Sequence, residues 1–272
     1  MVAAHRQKSP DKQDVCRKVT SLLKKAYPGT MPRRDLPVLE SLLYAICLEN
    51  TPLAQADIVY ARLLNAFHDL NEVRVSSITE LLPVFVDVEE ADWRALRVKS
   101  SLQYVFETNY AFDFESLKRK SADLAVKQLG KIPSLSYFVR SYVLQHCLGS
   151  HVLPIDSRMQ AALVWLGLAE RDATTEHAAE ALRSAVRKAD APLFCHLLRC
   201  LATDPKRMRA FTAATKTPPV VDDAISRLEH LIRRGDGGGK AEKRKPAAHK
   251  PAKGSNHSSR SARSRVGSKK RH

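Results

Sequence analysis

Long apolar runs are missing from this chain of 272 residues. The longest fall far short of the roughly 20 residues that a membrane-spanning helix needs, so a soluble protein is expected, with no membrane partner. A secretory leader is also missing, because MVAAHRQKSP is polar and basic rather than charged and then apolar. Cysteine is sparse and odd in number: Cys16, Cys47, Cys147, Cys195 and Cys200 are scattered. That excludes a disulfide framework and suits reduced thiols in a cytoplasmic setting, on the nucleoid if the cell is bacterial. Period-two alternation is nearly absent, which argues against a sheet. There is no internal repeat, no phosphate-cradling glycine loop, no triad signature and no metal-ligand spacing, so neither a cofactor nor a metal is expected.

What the chain does have is helical periodicity and positive charge. The formal charge is +16. Residues 236–272 hold twelve Lys or Arg against two acids, a net +10, which leaves +6 on the body. That tail runs in Gly, Lys, Arg, Ser and Pro with few apolar groups. It cannot bury enough surface to offset its ordering entropy, so disorder is expected. A basic flexible arm attracts polyanions whatever their sequence. Lys243, Arg244, Lys245, Lys269, Lys270 and Arg271 are its candidate phosphate contacts; a merely solubilising tail is the alternative.

Residues 1–11 read as disordered. Val15, Val19, Leu22, Leu23 and Ala26 then mark a helix that ends at Pro28 and Gly29. An almost wholly apolar segment, 36–48, reads as a buried central helix. Thr51 is placed to cap the next helix, with Pro52 in its first turn. Ser77 and Glu80 have capping-box spacing. Further helices are expected over 89–110, over 114–129 as one or two pieces, from Asp156, over 175–189, over 191–202 and over 220–234. The body therefore reads as all-α.

One stretch, 132–168, carries more information than the rest: IPSLSYFVRSYVLQHCLGSHVLPIDSRMQAALVWLGL. It is a tight turn, an apolar helix, a short loop, an aspartate and a second apolar helix. The layout resembles the helix–hairpin–helix and following aspartate of the endonuclease III-like DNA glycosylases, whose motifs run Leu-Pro-Gly-Val-Gly-Arg-Lys-Thr-Ala and later Val-Asp-Thr-His. Ile132, Pro133 and Leu135 fit the hairpin, Ile155, Asp156 and Ser157 fit the aspartate motif, and the spacing fits without a gap. The segment LLYAICLEN at 42–50 resembles that family's first core helix. The resemblance spans roughly 13–205. It implies a two-lobed helical domain over 12–210, with one lobe from about 36–150 and the other from 12–35 plus 151–210. A linker and terminal helix would fill 211–235, before the disordered basic tail at 236–272. The implied partner is duplex DNA, bound by a monomer in the cleft between the lobes.

The resemblance also assigns roles. Asp156 would stabilise the sugar cation formed when a glycosidic bond breaks. It also follows a loop and opens a helix, so it is a natural N-cap. Asn50 falls where the family has a glutamine that fills the gap left by an extruded base. Ser134, Leu135 and Ser136 would form the DNA-contacting turn, with serines in place of the two glycines. Phe138 stands where bifunctional members have the lysine that forms a Schiff base. It has no nucleophile, so that covalent route is absent. Cys195 and Cys200, five apart, cannot hold an iron–sulfur cluster, and His196 reads as a surface imidazole. Three readings remain open: a glycosylase without lyase activity, using Asp156 and water; a catalytically inactive structural or lesion-recognition protein; or, if the two lobes do not form, an unrelated helical interaction module. The enzyme requires Asp156 to face an open, base-sized cleft. The inactive form would have Asp156 capped and sealed, with Phe138 and its neighbours filling the cleft. An Asp156→Asn change is expected to spare folding, because the amide keeps a capping oxygen.

Deleting 236–272 should weaken binding to all duplexes alike and flatten the salt dependence. The log–log slope should fall by roughly 0.9 for each phosphate that the arm no longer neutralises. Salt titrations of full-length and truncated protein read this directly. Equal affinity and equal slope would remove the arm from the interface.

Overall fold

The computed structural model describes residues 11–32, 34–212 and 220–236. Every regular element among them is helical. Helix α1 (Lys12–Ala26) starts on Asp11, whose carboxylate accepts the Gln13 N–H at 3.1 Å. Helix α2 (Val38–Leu48) buries ten of its eleven residues. A helix apolar on all sides must sit inside a core, and α2 is the centre of the first lobe. Around it pack α3 (Leu53–Asn65), α4 (Leu70–Val75), α5 (Ile78–Leu81), α6 (Ala91–Asn109), α7 (Ala122–Leu129) and α8 (Tyr137–Leu148). A second core gathers α1, α9 (Ser157–Leu166), α10 (Thr175–Arg183), α11 (Ala191–Thr203) and α13 (Ala224–Asp236), with the short α12 (Arg209–Thr212) beside α9.

The Ser77–Glu80 capping box forms as the spacing suggests, with both reciprocal bonds made. Several local expectations are corrected. Thr51 does not cap α3: Pro52 occupies that position without a side-chain cap. The Thr51 hydroxyl donates instead to the Glu49 carbonyl at 2.9 Å and accepts from Arg94 at 3.1 Å. The segment 114–129 takes the two-piece form that the sequence allows, a 3-10 turn (Glu115–Arg119) and α7, because Lys120 and Ser121 are extended. The 175–189 helix stops at Arg183. Helix α4 adds to the expected set; Asp69 caps it by accepting the Glu72 N–H at 2.8 Å.

The C-terminal segment also departs from expectation. The sequence suggests a linker and helix over 211–235, outside the two-lobed domain. Instead, Ala224 and Leu228 of α13 are fully buried in the second core. Arg227 donates to the Trp165 carbonyl at 2.8 Å, at the end of α9. Apolar residues at i and i+4 on α13 thus complete a face that α1 and α9 would otherwise leave open. Leu228→Ala should cost about 2–5 kcal/mol, the usual range for emptying a buried leucine site. Denaturant unfolding measures it, and an unchanged midpoint would show that α13 does not belong to the core.

Candidate functional site

Asp156 and Phe138, the two positions that the sequence singles out, are linked through Arg199 at the junction of the lobes. Asp156 is the N-cap of α9 and only 1% exposed. Its Oδ1 accepts the Met159 N–H at 2.8 Å. Its Oδ2 accepts the Asn50 N–H at 3.0 Å and Arg199 Nη1 at 3.1 Å. Both carboxylate oxygens are therefore committed to protein donors. Arg199 is itself buried, and its guanidinium lies 4.7 Å from the centroid of the Phe138 ring. Phe138 is 1% exposed in the first core. The Phe138 ring thus supports a cation that neutralises the aspartate.

Asn50 also works at this junction. It holds a left-handed backbone, φ 54°, which asparagine tolerates better than most residues. Its Oδ1 accepts the Ser157 hydroxyl at 2.9 Å and the Arg158 N–H at 3.2 Å. Asn50 and Asp156 thereby share the free N–H groups at the start of α9. At the rim, Arg158 pairs with Glu89 at 2.6 Å.

The carboxyl end of α2 is closed by two buried arginines. Arg94, 1% exposed, donates to the carbonyls of Ile46 (2.5 Å), Cys47 (3.2 Å), Glu49 (2.5 Å) and Glu89 (2.7 Å). Arg199 donates to Leu48 at 2.9 Å. Helix-end carbonyls lack helical partners and carry the negative pole of the helix dipole, so cations belong there. Burial alone would pull the Arg94 guanidinium down, and the nearby Glu49 acts against that.

The turn between α7 and α8 keeps a hairpin conformation. Ser134 is exposed, with φ 63°. Leu135 is half-buried against the first core. Ser136 caps α8, its Oγ accepting the Val139 N–H at 3.2 Å. Behind the turn, Arg97 Nε donates to the Ser134 carbonyl at 3.0 Å, while Arg97 Nη1 binds Glu49 at 2.5 Å. Burial pushes the Glu49 carboxyl up, Asp156 adds to that, and Arg97 and Ser136 oppose it.

Sequence reading missed Arg94, Arg97, Arg199 and Glu49. A signal for one was present: Arg199 falls in line with Cys195, Leu198 and Ala202 on the apolar side of α11. His196 is not a surface imidazole. With His146, Tyr142, Leu48 and Arg199 it lines an interlobe pocket of about 40 Å³. That is room for about three waters. Burial lowers both histidines. Cys195 is fully enclosed, its thiol pushed up to about 12 by burial. Lys243, Arg244, Lys245, Lys269, Lys270 and Arg271 lie outside the described residues.

This arrangement can be set beside known proteins. No family model matches the chain, and no curated protein matches it by sequence. Solved structures do match. Endonuclease III trapped as a covalent intermediate with DNA superposes with a TM-score of 0.56 at 14% identity, covering 84% of this chain and 99% of that one. Endonuclease III in a non-covalent DNA complex gives 0.56 at 16% identity, covering 83% and 96%. A thermostable thymine-DNA glycosylase gives 0.54 at 13% identity, covering 80% and 94%. The fold is that of the endonuclease III-type DNA glycosylases. Within this fold, the present chain places a buried ion pair at its central aspartate.

That geometry corrects the expectation for Asp156→Asn. The amide would keep the cap but leave Arg199 buried without its counter-charge. Breaking a buried pair in this way costs about 3–5 kcal/mol. Adding Arg199→Met should recover part of the loss, since no unpaired buried charge then remains. Urea unfolding of the single and double variants checks this; a single variant as stable as wild type would contradict it.

Proposed function

We propose that this chain is a DNA-binding protein that uses an endonuclease III-type scaffold without excising bases. The hairpin at Ser134, Leu135 and Ser136 and the basic tail hold phosphates, and Asp156 fastens the two lobes. One observation carries the reading: both oxygens of Asp156 are taken by Met159, Asn50 and Arg199, and the residue is 1% exposed. A carboxylate stabilises a sugar cation only if it can stand beside the sugar. Here it stands beside a guanidinium. Phe138 supports the same reading, since it offers no amine for a covalent intermediate. The small interlobe pocket supports it as well.

Binding itself rests on the fold and on charge. Two of the matching endonuclease III structures hold DNA. Helix α8 begins just after the left-handed turn at Ser134, and the first N–H groups of a helix lack helical partners and favour an anion, which suits a phosphate there. The protein acts as a monomer on duplex DNA, wherever the cell keeps it.

The test is incubation with duplexes carrying assorted damaged bases and abasic sites, with binding, base release and strand cleavage read separately. Borohydride is added to trap any Schiff base. The expected result is salt-dependent binding with no released base and no adduct. Sustained base release would restore the reading of a glycosylase that uses Asp156 and water, and absence of binding would defeat both.

A further inference from the structure

We infer that Glu49 and Arg97 form a clamp that holds the serine-substituted hairpin in its phosphate-ready shape, so that both are positioning residues for DNA. The inference rests on the DNA-binding reading and deepens it. The starting observation is Ser134 at φ 63°. A side chain in this left-handed region is strained, and such a residue persists only where its surroundings fix it. Glycine would adopt the same backbone without that cost. Something must therefore hold Ser134 in place.

The surroundings supply it. The Ser134 carbonyl accepts Arg97 Nε at 3.0 Å. The other end of the same guanidinium binds Glu49 at 2.5 Å. Ser136, the second serine of the turn, accepts the Val139 N–H on its Oγ and fixes the start of α8. Ser134 is thus tied through Arg97 to one ion pair, whose side chains are only 14% and 10% exposed. Glu49 is anchored in turn, because its own carbonyl accepts Arg94 at 2.5 Å. Arg97 points inward to these acceptors. It acts on DNA through the turn, not by touching a phosphate.

A direct phosphate ligand and a positioning residue differ in one respect. Removing a direct ligand is not repaired by changing the turn, whereas removing a clamp is repaired by a turn that needs none. The experiment compares full-length wild type, Arg97→Ala, Ser134→Gly and the Arg97→Ala/Ser134→Gly double variant on undamaged duplex. Affinity is measured at several salt concentrations, and amide hydrogen exchange is followed over 132–138 with and without DNA. Glu49→Gln/Arg97→Gln is run in parallel, since it removes the clamp without leaving a lone buried charge. Arg97→Ala and the double glutamine variant should each bind roughly tenfold more weakly, the order of the strain involved. The salt slope should fall by about 0.9, for one phosphate. Hairpin amides should exchange faster in both. Ser134→Gly alone should bind as wild type does, and in the Arg97→Ala background it should restore affinity and slope.

Unchanged affinity in both clamp variants, with wild type binding and DNA slowing exchange at the hairpin, would overturn the clamp and leave the DNA-binding reading standing. Weakened binding that Ser134→Gly does not restore would also overturn it, making Arg97 a direct phosphate ligand. Wild type that does not bind, or a hairpin whose exchange is indifferent to DNA, would bring down the DNA-binding reading itself and the clamp with it.

Discussion

The carboxyl end of α2 is where the molecule is held together. Four successive backbone carbonyls, from Ile46 to Glu49, receive the guanidinium groups of Arg94 and Arg199. Arg94 comes from the same lobe, on α6. Arg199 comes from α11 in the other lobe and also holds Asp156. Burying a guanidinium is expensive unless every donor finds an acceptor and a counter-charge stands close by. Here the helix end supplies the acceptors and its dipole favours the cation. The two lobes have separate hydrophobic cores, so shared apolar surface alone does not fix their relation. A directional polar joint does, and it constrains geometry more tightly than apolar packing would.

From this joint follows the fate of Asp156. A carboxylate has a limited number of acceptor sites, and this one spends them on an N-cap, an inter-lobe backbone bond and an arginine. Each use alone is common. Together they make Asp156 a fastener between the lobes. The cap explains why an aspartate stands before α9, and Arg199 explains why its charge matters.

The legible part of the fold is whatever depends on near neighbours in sequence. Helical periodicity yields the all-α class. The Ser77–Glu80 spacing yields a capping box. The Pro133-to-Asp156 spacing yields a turn, a helix and a capping aspartate in the right order. What cannot be read depends on distant partners. Arg199 meets Leu48 across 151 positions, and Asp156 meets Asn50 across 106. Thr51 has the local pattern of a cap, yet Arg94, 43 positions on, captures the hydroxyl. The seating of α13 is hidden for the same reason: its apolar residues are ordinary until α1 and α9 are seen to need them. The alternative outcomes for Asp156 can be stated from sequence, but choosing between them requires Arg199.

Phe138 and Arg199 are best understood together. Suppose a lysine stood at 138 with Arg199 in place. The guanidinium lies 4.7 Å from the centroid of the present ring, so an ammonium there would sit close to another cation in a poorly solvated site, where repulsion is strong. Asp156 already pairs with that guanidinium and holds two backbone N–H groups, so it would have to be shared between two cations. Phenylalanine resolves the conflict: its ring face attracts the guanidinium and fills the space behind the aspartate. A lysine at 138 would thus conflict with the joint as a whole and not with one residue. Accommodating it would require removing Arg199 and re-capping the end of α2, which would undo the very bonds that hold this structure in its present form.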